Sequence, residues 1–108
     1  MKRLTILLII ILSPFRLSAD DAVIINLEIK DHVFVPSEIK APAGQKIKIK
    51  VTNLDNVMEE FESSDLHREK ILRPGVTETI ILAPLKPGKY SFIGEMHDKT
   101  AKGILIVE

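Results

Sequence analysis

Residues Gln45 to Thr52, QKIKIKVT, alternate without a break: Ile47, Ile49 and Val51 fall on one side of an extended chain, and Lys46, Lys48 and Lys50 on the other. Strand side chains repeat with a period of two, whereas a helix of this sequence would scatter its apolar residues around its girth. The segment is therefore a strand with one dry face and one wet face, and the rest of the chain must cover the dry one. The lysines also discourage pairing with another chain's edge.

The same signal recurs along the chain. Residues 22–30, AVIINLEIK, place Val23, Ile25, Leu27 and Ile29 on one face, with Ile24 as the exception. Residues 31–39 are extended but interrupted by Pro36, which lacks the N–H that a central strand needs and so marks an edge or a bend. Val76 to Leu82 and Tyr90 to Ile93 read as strands, and Ile104 to Val107 as a strand apolar enough to be buried on both faces. Turn signals separate them at Pro42-Ala43-Gly44, Asn53-Leu54-Asp55-Asn56, Pro74-Gly75 and Pro87-Gly88. The polar segment 57–70 predicts a short strand at Glu60-Phe61-Glu62, then a helical turn with Ser64 or Asp65 as N-cap. The sum is an all-β Greek-key sandwich of seven to eight short strands, with no helix longer than two turns. Greek-key connections bring the loops before and after the final hairpin to one end.

At the start, Lys2 and Arg3 precede the apolar run Leu4 to Leu12, followed by Pro14 and the small pair Ser18-Ala19. This is the layout of a secretory signal peptide, and the run is shorter than the about 20 residues a membrane span needs. Residues 1–19 are expected to be a leader and residues 20–108 one mature domain, periplasmic or secreted, with no transmembrane span. The chain has 15 basic and 15 acidic residues; losing Lys2, Arg3 and Arg16 leaves 12 basic against 15 acidic. A mildly acidic domain without a basic stripe argues against nucleic-acid binding. There is no cysteine, so no disulfide framework staples the domain.

Residues with metal-binding side chains gather in two stretches: Met58, Glu59, Glu60, Glu62 and His67 in the polar segment, and Glu95, Met96 and His97 between the last two strands. Imidazole, carboxylate and thioether together suit copper, or iron or zinc without the sulfur. Each residue also has a plainer reading. Glu60 beside Phe61 is also the solvent-facing half of a strand pair, Glu95 can orient the histidine rather than bind, and Met96 can fill a core gap. His67 reads most simply as part of a solvated charged turn. His32 is expected far from the polar end.

Phe34-x-Pro36, Pro42-x-Gly44, Asn53-x-Asp55, Phe61, Pro74-Gly75, Pro87-Gly88-x-Tyr90-x-Phe92 and Ala101-x-Gly103-x-Leu105-x-Val107 follow one another in an order that resembles the cupredoxin-like domains of exported bacterial proteins. Laid onto this sequence, the resemblance puts the first histidine ligand of that family at about Glu60, its cysteine at about Gly94, its second histidine at His97 and its axial methionine near Ala101. A blue-copper centre needs a cysteine thiolate, so an electron carrier of that kind is excluded. The segments Glu-Phe-Glu-Ser-x-Asp-Leu, Arg-Glu-Lys and Gly-Glu-Met-His instead resemble the cysteine-free cupredoxin-like proteins associated with bacterial iron permeases. That resemblance implies a periplasmic protein that binds copper or iron and assists metal uptake or delivery. Its expected ligands are Glu60, Glu95, Met96 and His97, and its expected partner is a membrane iron permease or another periplasmic protein. The alternative is a metal-free module that docks on such a partner. An enzyme has little support, since no nucleophile is paired with a base at a recognisable spacing.

Overall fold

The structure, a computed structural model, describes residues 21–108; the expected leader lies outside the described residues. Nine strands follow one another: β1 (Val23–Lys30), β2 (Val33–Val35), β3 (Glu38–Ala41), β4 (Ile47–Asn53), β5 (Glu59–Ser63), β6 (Arg68–Leu72), β7 (Thr77–Leu82), β8 (Gly88–Gly94) and β9 (Lys102–Val107). They form two sheets in the orders β2-β1-β4-β7 and β3-β9-β8-β5-β6. Between β8 and β9 lies a single 3-10 turn, Glu95–His97.

The alternation in β4 is realised as expected: Ile47, Ile49 and Val51 are buried and Lys50 is exposed. β4 pairs in parallel with β1 and antiparallel with β7, so its dry face becomes the centre of the first sheet. Facing it, the second sheet contributes Phe61, Leu72, Phe92, Leu105 and Val107. Phe34, Phe61 and Phe92 meet in the core, with Phe61 stacked on Phe92 at 5.0 Å and Phe34 edge-on to Phe92 at 5.0 Å. Truncating one such ring typically costs about 3–5 kcal/mol. Gly103 is required where β9 crosses this cluster, because a Cβ there would sit 2.2 Å from Phe92 Cε2.

The Pro36 stretch is the edge and bend expected of it, and two later segments differ from the sequence expectation. The stretch broken by Pro36 is a sheet switch: β2 pairs with β1 in the first sheet, and β3 pairs in parallel with β9 in the second. Pro36 sits between them after a cis peptide bond from Val35, so neither strand needs an N–H from it.

The expected helical turn after Phe61 is instead the tight turn of a hairpin, and Arg68–Leu72 is a strand paired with β5. Asp65 caps no helix. Its carboxylate accepts from the backbone N–H and hydroxyl of Ser91, which pulls its pKa below the usual value. His67 adopts φ +54°, which reverses the chain into β6. The burial of Ile104 to Val107 also alternates, with Leu105 and Val107 buried and Ile104 and Ile106 half-buried.

Candidate metal centre

β5 fixes which glutamates face inward. Its burial alternates so that Glu59, Phe61 and Ser63 are buried while Glu60 and Glu62 look outward. Phe61 must enter the core, and a period of two then carries Glu59 to the same face. Glu59 is 2% exposed, and a carboxylate so placed needs donors. It has three. Its Oε1 accepts the backbone N–H groups of Glu60 and Met96, each at 2.8 Å, and its Oε2 lies 2.6 Å from His97 Nδ1. An ionised carboxylate only accepts, so Nδ1 donates to it, and in the neutral ring Nε2 is then the nitrogen that carries the lone pair. The His97 side chain is 30% exposed.

The 3-10 turn supplies this geometry. Gly94 ends β8 opposite Phe61. The turn then presents the Met96 N–H to Glu59, and its C-terminal end is closed by the Thr100 and Ala101 N–H groups donating to the His97 carbonyl. Met96 is 48% exposed.

A second chain of contacts brings His32 to the same end. Asn53 is fully buried and uses its amide to hold the next loop: Nδ2 donates to the carbonyls of Val57 and Leu72, and Oδ1 accepts the Asp55 N–H. Asp55 in turn accepts the N–H groups of Asp31 at 2.7 Å and His32 at 3.0 Å, at the tip of the β1–β2 hairpin. Burial raises the Asp55 pKa, but those two hydrogen bonds and the His32 and His97 imidazoles outweigh it and leave it lowered. The hairpin tip then lays the His32 ring on His97, with centroids 3.7 Å apart and planes 13° from parallel. His32 is therefore at the polar end, contrary to the sequence expectation. Hairpin closure and Asp55 put it there, and neither contact leaves a local signature in the sequence.

The four residues expected as ligands are divided between the two faces of β5. Glu60 joins Glu62 and Glu95 outside the sandwich, with one carboxylate oxygen from each lying within 4.8 Å of the others. A hydrogen bond with Glu95, desolvation and the neighbouring negative charges push the Glu60 pKa up to about 7. Glu62 is raised as well, by desolvation first and then by Glu95. His97 and Met96 belong to the turn above Glu59. The sequence places Glu59 among the donors of the polar segment but not among the expected ligands, although the alternation counted back from Phe61 points it inward. His67 lies at the other end of β5, in a shallow surface depression of about 510 Å³ lined also by Ser64, Arg68 and Glu69.

A nine-strand, two-sheet Greek-key sandwich with a loop-borne histidine at one end defines a cupredoxin fold. The family model for the cupredoxin-like domain matches residues 3–107, and the chain belongs to that family. It is 50% identical over 88 residues to an uncharacterized protein of Rickettsia prowazekii (strain Madrid E), a match covering 82% of this chain and 70% of that one. Among solved structures, it resembles the metal-binding domain of the Streptococcus pneumoniae D39 Cu(I)-exporting P-type ATPase CopA with Cu(I). The TM-score is 0.69 at 18% identity, over 84% of this chain and 91% of that one. It also resembles reduced auracyanin from Roseiflexus castenholzii, with a TM-score of 0.66 at 18% identity, over 81% of this chain and 98% of that one. These two likenesses show the shared fold.

The blue-copper group familiar in this fold does not fit these residues. There is no cysteine, and at Gly94 a Cβ would meet Ala101 Cβ at 2.7 Å and Glu59 Cδ at 2.9 Å. The room a side chain would need there is taken by the Glu59 carboxylate. Any metal at this end is held by imidazole, thioether or carboxylate.

Proposed function

We propose that this chain is an exported transition-metal protein that takes a copper or iron ion at the His97 end of the sandwich and passes it on during metal uptake or delivery. The observation that carries this reading is the Glu59–His97 pair. A carboxylate that fixes the Nδ1 proton of a histidine and leaves Nε2 bare is the usual support of a metal-ligating imidazole. Met96, in the same turn, adds an exposed thioether, and imidazole with thioether and no thiolate favours copper. Glu60 and Glu95 are the nearby oxygen donors that would suit iron. The fold is shared with a domain whose structure holds Cu(I). Export to the periplasm rests on the leader-like residues 1–19, and an envelope metal permease is the proposed recipient.

The test is titration of the protein with Cu(I), Cu(II) and Fe(II), following heat and thermal melting, beside His97→Ala and a Glu60→Gln/Glu95→Gln double variant. A bound ligand stabilises the folded state by about 2.7 kcal/mol at a hundred times its Kd, so binding also raises the melting temperature. Copper binding lost in His97→Ala supports the reading, and Fe(II) binding lost in the double variant assigns iron to the carboxylates. No binding of any of the three ions overturns it. In that case the metal-free docking module leads, which is favoured by one observation: Glu59 already has all three of its donors from the protein.

A further inference from the structure

We propose that His32 is a positioning residue for this site, holding the plane of the His97 imidazole by stacking on one face while Glu59 fixes the ring's rotation. The inference rests on the reading of His97 as the metal ligand. Its first support is the stack itself, 3.7 Å between centroids and 13° between planes. The second is the backbone that carries His32. Asp31 and His32 have φ of +53° and +60°, two successive left-handed residues at a hairpin tip where neither is glycine. Such a turn favours Asn-Gly, because glycine enters that region without a Cβ penalty.

The fold itself asks for no imidazole there. Asp55 holds the tip through the N–H groups of Asp31 and His32, and Thr100 Oγ1 donates to the His32 carbonyl at 2.7 Å. Those are main-chain contacts that glycine would make with less strain. The side chain instead reaches His97, and Nδ1 of His32 lies 3.5 Å from Asp55 Oδ2, a long contact that steadies the ring. Strained backbone kept for a side chain that touches a candidate ligand points to the site rather than to the fold. Thr100 ties the two loops together, since its hydroxyl also lies 3.3 Å from the His97 carbonyl. His97 is thereby held in its plane by Glu59 and across its plane by His32. An ion arriving at Nε2 then has little ring freedom left to remove, and pre-ordering of this kind appears as affinity.

The experiment compares the protein with His32→Gly, His32→Asn, His32→Phe and His97→Ala. Cu(I) and Cu(II) affinities are measured by competition titration, and the His97 ring resonances by NMR in the metal-free state. His32→Gly and His32→Asn both suit a left-handed backbone, so both are expected to melt at or above the parent temperature. They should nevertheless bind copper about 10–100-fold more weakly, the usual effect of losing a group that orients a ligand, and lose the ring-current shift on His97. His32→Phe restores the stacked face without a nitrogen and should recover most of both. Parent-like affinity in His32→Gly and His32→Asn, with binding lost in His97→Ala, overturns the inference and leaves the metal-binding function standing. A His32→Phe variant no better than His32→Gly also overturns it, because the nitrogen and not the face would then be required. Absence of copper binding by the parent protein overturns this inference, and absence of Fe(II) binding as well overturns the proposed function with it.

Discussion

Glu59→Gln is a change of one atom whose outcome the geometry dictates. Glu59 Oε1 serves two backbone donors, Glu60 and Met96, and Oε2 serves only His97. The single oxygen of glutamine therefore stays with the two backbone N–H groups, since turning it away would leave both unmet at about 1–3 kcal/mol each. Its NH2 must then face His97 Nδ1, which has to become an acceptor, so the ring proton moves to Nε2. The variant keeps its shape but loses the free lone pair, and metal affinity should fall at least as far as for a lost orienting partner, about 10–100-fold.

The stability cost is smaller. Hydrogen bonds to a charged group are worth about 1.5–3 kcal/mol net against about 0.5–1.5 for neutral ones, and relief of the buried charge offsets part of the difference. A net loss of about 1–3 kcal/mol is expected, at about 4–8 °C of melting temperature per kcal/mol for a domain of this size. Glu59→Ala removes all three acceptor contacts and should cost about 2–6 kcal/mol, from two backbone donors left unmet at about 1–3 kcal/mol each. Thermal melting measures the stabilities and ¹⁵N ring shifts report the tautomer. A Glu59→Gln protein that keeps the proton on Nδ1, or a Glu59→Ala protein as stable as the parent, refutes the reasoning.

Gly103→Ala tests the crossing over the aromatic cluster. The new methyl would fall 2.2 Å from Phe92 Cε2, so Phe92 and its stacked neighbour Phe61 must shift, and overpacking of this kind costs about 1–3 kcal/mol. An unchanged denaturant midpoint would show that the cluster yields freely. Glu60 gives a pH signature. Its folded pKa of about 7 lies above the ordinary value of 4.5, so between those values the folded state binds more protons than the unfolded chain. This contribution is full below about pH 4.5 and is lost as pH rises towards 7. Urea midpoints from pH 4 to 8 should show Glu60→Gln gaining on the parent across that window, and a constant difference between them would refute the assignment.

Much of the fold was legible because each strand carries its own record of burial. Ile47, Ile49 and Val51 are inward both by period and in the structure, and Ile24, the odd residue of β1, is 54% exposed. β6 was not legible. Arg68, Glu69 and Lys70 are as polar as a solvated turn, and their strand conformation comes from pairing with β5 along its outer edge. The helical turn expected before it failed because the Asp65 carboxylate had a better use on Ser91, 26 residues away.

The sequence by itself determined the sandwich and excluded a thiolate centre, since alternation, turn residues and a missing element are local facts. It also placed His97 and Met96 in a polar turn. Only the tertiary structure decided that Glu59 rather than Glu60 holds His97, that Glu60 shares a surface with Glu62 and Glu95, and that His32 covers the His97 ring. Those outcomes depend on the phase of β5 against the core and on loops 23 to 68 residues apart closing at one end. Such contacts are made when sheets pack, and no short stretch of sequence records them.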